Sequence, residues 1–146
     1  MLDASALLAL IQAEPGSDRV AEILDRAAIS VIDLAEAVGR LADRGLPGQA
    51  IRRQLGRLDL GVVAVDEDLA YTAGFLRPAT RALGLSLGDR VCIALARRLG
   101  AVALTADRAV GAARYRCAGR DGARAVISPA GGDAVSCPRV ACGATW

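Results

Sequence analysis

Residues 101–108 read AVALTADR: an apolar run through Leu104, then Thr105, Ala106 and the acid Asp107. A short apolar run closed by a hydroxyl and an acid reads as a buried strand feeding a helix. The same order stands at 61–68, GVVAVDED, where Val62, Val63 and Val65 lead to Asp66, Glu67 and Asp68. Those acids suit the positive end of a helix dipole. It stands a third time, cut short, at the beginning of the chain, where only Met1 and Leu2 precede Asp3 and the run SALLALI. None of these runs alternates polar with apolar as a half-exposed sheet does. Strands that are apolar throughout and separated by helical stretches signify a parallel sheet covered on both faces. The expected fold is a three-layer α/β/α domain with a central, mainly parallel sheet over residues 1–113.

The intervening segments fit that scheme. Ser5 is placed to cap a helix beginning near Ala6, and Pro15-Gly16 break it. Ser17 or Asp18 opens a second helix reaching about Ala27, and Ala28 to Ile32 is short and apolar enough for a strand. A third helix is expected from Asp33 to about Arg44, and a fourth from Pro47 to Leu58 with Ile51, Leu55 and Leu58 on one face. The acids at 66–68 start a helix reaching about Leu83, in which Pro78 forces a kink or break. Gly88 or Asp89 then opens a helix to Leu99, and another starts near Asp107. Residues 114–128 form an atypical closing segment whose strand candidate is Ala125 to Ile127. Residues 129–146, rich in Gly, Pro and Cys, read as a loosely ordered tail. From residue 114 onward five Arg and two Asp give +3; such a tail could touch RNA or a partner, though a solvated segment explains it more simply.

The 146-residue composition excludes several chemistries. The chain has no His, and all 18 of its basic residues are Arg. Histidine-dependent triads, histidine zinc sites, Schiff bases and the Walker-type phosphate lysine are therefore out of reach. The net charge of +2 is too small to announce nucleic-acid binding, although Arg grips phosphate in bidentate fashion. Cys92, Cys117, Cys137 and Cys142 form no CxxC pair, and incidental free thiols explain them better than a four-ligand zinc site. No apolar run approaches the roughly 18 residues of a membrane helix, and the acid at position 3 does not suit a secretory signal. A soluble cytoplasmic protein with no membrane partner is expected.

Carboxylates are what remains for catalysis. Asp3 and Asp107 each follow a strand and precede a helix, so both lie outside carboxyl ends of strands, where open parallel sheets place their sites. Each alone is equally well a helix cap; two at equivalent places are harder to dismiss. Asp89 falls on the same side of its helix as Cys92, Ile93, Ala96 and Leu99, so it is either a cap or an acid held in a cleft. Glu36 projects away from the face carrying Leu34, Val38 and Leu41, and by itself reads as solvated surface. Carboxylates without a basic catalyst suit one or two Mg²⁺ or Mn²⁺ ions acting on a phosphodiester, with Ser5 and Thr105 as hydrogen-bonding support.

Taken in order, DASALLAL at 3–10, SVIDLAEAV at 30–38, LSLGDRVCIA at 85–94 and LTADR at 104–108 resemble the PIN-domain family. The nearest likeness is to the VapC-like toxin ribonucleases of toxin–antitoxin pairs. The resemblance implies a metal-dependent endoribonuclease acting on tRNA, rRNA or mRNA with Mg²⁺ or Mn²⁺. It places the four family acids on Asp3, Glu36, Asp89 and Asp107, and the flanking hydroxyls on Ser5 and Thr105. It also implies a homodimer and a cognate antitoxin seated in a groove near the site. Arg90 or Arg108 would meet RNA phosphate. The short lead before Asp3 and the unusual segment after Asp107 depart from the family pattern. They leave open a weakly active module that binds an antitoxin-like helix or RNA. Two other readings compete: a phosphatase or phosphoacceptor domain, which the absence of Lys disfavours, and a structural domain whose acids are only caps.

Overall fold

The computed structural model describes residues 1–106, together with the backbone of short strands at 117–118, 124–125 and 128–129. Its elements are α1 (Ala4–Ile11), α2 (Ser17–Ala21), β1 (Ala28–Ser30), α3 (Val31–Asp43), α4 (Gly48–Gly56), β2 (Gly61–Val63), α5 (Glu67–Phe75), α6 (Arg77–Thr80), α7 (Leu87–Leu99), β3 (Leu104–Thr105), β4 (Cys117–Ala118), β5 (Arg124–Ala125) and β6 (Ser128–Pro129).

Helix starts differ from expectation where a side chain captures the first orphan amides. Asp3, in extended backbone, caps α1 by accepting from the Ala6 amide at 2.7 Å, so Ser5 is released from capping. Ser30 caps α3 by accepting from the Asp33 amide at 3.0 Å, so that helix opens at Val31 and not at Asp33. The long helix expected through Leu83 is divided: α5 ends at Phe75, and Pro78 lies in the first turn of α6, where its missing N–H costs nothing. Reciprocal capping between Ser86 and Asp89 starts α7, and Gly100 at φ +60° ends it. That left-handed residue turns the chain back toward β3.

The sheet runs β2–β1–Leu2–β3–β6, every neighbour parallel. Leu2 is the whole central strand, bridging Ile29 on one side and Leu104 on the other. Asp3 therefore leaves the middle of the sheet. Odd and even positions face opposite ways. Met1, Ala28 and Ala103 pack with Leu69 and Ala73 of α5 and Val91 and Leu95 of α7. Leu2, Ile29 and Leu104 pack with residues of α1, α3 and α4 and with Val20 of α2. Two helical layers over a parallel sheet make this an α/β fold of the expected three-layer kind.

The closing strand is not where it was sought. Ser128–Pro129 pairs with β3, while Arg124–Ala125 pairs antiparallel with Cys117–Ala118. A run as short as Ala125 to Ile127 carries little register information of its own, so pairing partners decide it. Pro129, with no N–H to give, suits the sheet edge. The helix expected from Asp107, the tail after residue 129, and Cys137 and Cys142 lie outside the described residues. Among the described residues no helix is long and apolar enough to cross a membrane.

Candidate functional site

Three elements bring acids to the carboxyl end of the sheet. Asp3 follows the central strand and retains 3% of its exposure. Its Oδ1 accepts from the Ala6 amide at 2.7 Å and from the Ser5 hydroxyl at 2.8 Å. Ser5 Oγ in turn stands 3.1 Å from Thr105 Oγ1 and accepts from the Ala106 amide at 2.9 Å. The hydroxyls expected to support the first acid thus also lock α1 to the end of β3.

Asp89 sits in the first turn of α7, half-buried, with Oδ2 accepting from the Ser86 amide at 2.7 Å. It borders Asp3 and Thr105 on one side. On the other it lines a cleft of about 220 Å³ with Ser5, Glu36, Arg40 and Ser86. The alternatives of cap and cleft acid are both realised. Glu36 is half-buried and paired with Arg40 at 3.1 Å. The buried face of α3 is Asp33, Ala37 and Leu41, and Val38 is exposed. Glu36 flanks this face, so it borders the cleft and is not the open surface its own helix suggested. Arg90, offered as a phosphate contact, donates to the carbonyls of Ser86 at 3.2 Å and Ala73 at 3.2 Å. Asp107 and Arg108 lie outside the described residues.

In the sequence Asp33 marks only a helix start. It is 1% exposed, and the Ser30 hydroxyl donates to its Oδ2 at 2.5 Å. Its spacing held the signal: Asp33 and Glu36 are three apart, hence on one side of the helix, and Asp33, Ala37 and Leu41 fall at intervals of four. Arg40, one turn beyond Glu36, was also missed.

Burial sets the electrostatics. It pushes the Asp3 carboxyl up to about 6, with the Asp89 charge adding and the bonds from Thr105, Ala6 and Ser5 opposing. Burial likewise lifts Asp33 to about 7; the Ser30 bond opposes this, and the charges of Asp3, Asp89 and Glu36 add to it. Both folded values exceed the ordinary 3.8, so the folded chain binds more protons than the unfolded one. Their stabilisation is full below the ordinary value and is lost as pH rises through about 6 and 7. The Met1 ammonium, lowered from 8.0 by burial, works the other way, one group against two. In EDTA the chain should therefore melt at a higher temperature near pH 5.5 than near pH 8, and Mn²⁺ should stabilise it more at the higher pH. Thermal melts at both pH values check this; a melt that climbs toward pH 8 in EDTA contradicts it.

The donor set fits a hard divalent cation. Asp3, Asp33, Glu36 and Asp89 offer only carboxylate oxygens, and among the described residues the one guanidinium paired with them is Arg40 on Glu36. Acids placed in this way either take up protons, as the raised values of Asp3 and Asp33 show, or are held ionised by a cation. Among the described residues no three of these side chains form a group that could hold a metal ion by themselves.

Comparison with known proteins bears on the family and the fold. The family model described as PIN domain matches residues 1–115. Among solved structures, PAE2754 from Pyrobaculum aerophilum superposes with a TM-score of 0.51 at 22% identity, covering 76% of each chain. At that identity the likeness concerns the fold. No curated protein matches the chain.

Proposed function

From the premise that this chain belongs to the PIN-domain family, whose members are generally nucleases, we propose that it is a divalent-metal-dependent endoribonuclease and the toxin of a toxin–antitoxin pair. The observation that carries the catalytic part is the convergence of Asp3, Glu36 and Asp89 at the carboxyl end of a parallel sheet, joined in sequence by Asp107. Asp3, Asp89 and Asp107 would hold Mg²⁺ or Mn²⁺, with Glu36 beside them. When bound, the ion supplies Lewis-acid polarisation of the phosphate and lowers the pKa of water. The protein's own work is positional. Ser5 and Thr105 fix the carboxylate plane of Asp3, the capping box fixes Asp89, and Arg40 at the cleft rim offers phosphate a guanidinium.

The partner reading rests on the far side of α3. Val31, Leu34 and Val38 line an apolar groove of about 820 Å³ with Ile51 and Leu55 of α4 and Val62 of β2. A groove of this character suits an apolar antitoxin segment, and α3 would connect it to the cleft. The exposed stacked pair Tyr71 and Phe75, ring centroids 6.1 Å apart, suits a homodimer contact. This reading places the protein in the cytoplasm, where tRNA, rRNA and mRNA meet.

Incubation of purified chain with pooled tRNA, rRNA and mRNA, with Mn²⁺ or EDTA, tests the proposal. Discrete fragments that require metal and disappear in Asp89→Asn are expected. Intact RNA from a folded, Mn²⁺-binding chain would instead establish a binding module.

A further inference from the structure

The contact between α3 and α7 leaves no comfortable room for a side chain at residue 88. Gly88, the second residue of α7, is buried, and a Cβ built on it would stand 3.0 Å from Asp33 Oδ1 and 3.0 Å from Glu36 Oε2. That is closer than a comfortable carbon contact. The two helices can bring both carboxylates to the head of α7 because residue 88 carries no side chain. Asp89 is the next residue, and its charge acts on Asp33.

Capping does not explain Asp33. The α3 cap is made by Ser30 Oγ and the Asp33 backbone amide, and of the carboxylate it engages Oδ2 alone. The Asp33 side chain is anchored through Oδ2 to Ser30 at 2.5 Å, with Ser30 fully buried, while Oδ1 turns to the notch at Gly88. A carboxylate buried beside other acids is costly to keep ionised unless a cation compensates it.

We infer that Asp33 is a further carboxylate of the cation site, anchored by Ser30 through Oδ2 and presenting Oδ1 beside Glu36 across the Gly88 notch. The inference rests on the metal-dependent reading above and adds a residue to it. Asp33 would hold the cation or its waters between α3 and α7 and is not placed on the reacting phosphate.

Calorimetric Mn²⁺ titration of the full chain, with thermal melts in EDTA, tests it. Asp33→Asn keeps the side-chain shape and an acceptor for Ser30 but removes the charge. Its Mn²⁺ affinity should fall about tenfold or more, the scale of lost support around a metal, while its metal-free melting temperature stays level or rises. Gly88→Ala should also weaken Mn²⁺ binding by spreading Asp33 from Glu36. Unchanged Mn²⁺ affinity in Asp33→Asn, with or without a lowered melting temperature, makes Asp33 a structural acid and overturns the inference alone. Unchanged affinity in Gly88→Ala removes the notch from it. A wild-type chain that binds no Mn²⁺ overturns the functional reading and this inference together.

Discussion

Asp3→Asn should reduce Mn²⁺-dependent RNA cleavage by about 10²–10³-fold, the scale on which loss of one preorganised electrostatic group acts. The substitution separates charge from scaffold. Asn can still accept from the Ala6 amide and the Ser5 hydroxyl that now hold Oδ1, so the α1 cap and its tie to β3 survive. What goes is a nearly buried negative charge at the centre of the sheet. Since burial and the Asp89 charge disfavour ionisation of Asp3, the metal-free variant should melt no lower than wild type. Single-turnover cleavage paired with melts in EDTA checks both halves. Retained cleavage would remove Asp3 from the site; lost cleavage with a much lower melting temperature would make it a cap alone.

Leu2→Ala should cost about 2–5 kcal/mol, the range for truncating a fully buried Leu. Leu2 is 0% exposed and, among the described residues, bridges β1 on one side and β3 on the other at the centre of the sheet. Its amide donates to the Ala28 carbonyl at 2.8 Å, and the next amide, of Asp3, donates to Leu104 at 3.1 Å. A cavity beneath this residue loosens the placement of Asp3 as well as the core. Leu87→Ala is the contrast: Leu87 is 53% exposed, and the loss should stay within about 0.5 kcal/mol. Urea unfolding of both variants measures the difference, and equal losses would show that the short central strand carries no special weight.

Much of this was legible from residues. The strand-then-acid pattern at 61–68 and 101–107 announced a parallel sheet, and Asp89 on the apolar side of its helix pointed to a cap or a cleft acid. Glu36 became legible only by resemblance, because its own helix pattern pointed to Leu34 and Val38. Tertiary packing instead buried Asp33, Ala37 and Leu41, facing α1 and α7. Asp33 was missed because an acid three residues after a Ser before a helix is the pattern of a cap; nothing local reveals that α7 presents a glycine to it. Two capping sites, Asp3 and Ser30, moved for a related reason. Several nearby side chains could take the first orphan amide, and backbone direction out of the sheet decided between them. The closing strand at 128–129 depends on pairing with β3, which no local pattern records.

The most direct test of the central claim is the rate of RNA cleavage measured against Mn²⁺ occupancy of the same preparation, with occupancy determined independently by calorimetry. Cleavage should rise in step with occupancy, plateau when the site fills, and vanish with EDTA. A site that fills with Mn²⁺ while the RNA stays intact, or cleavage that persists in EDTA, would contradict the account.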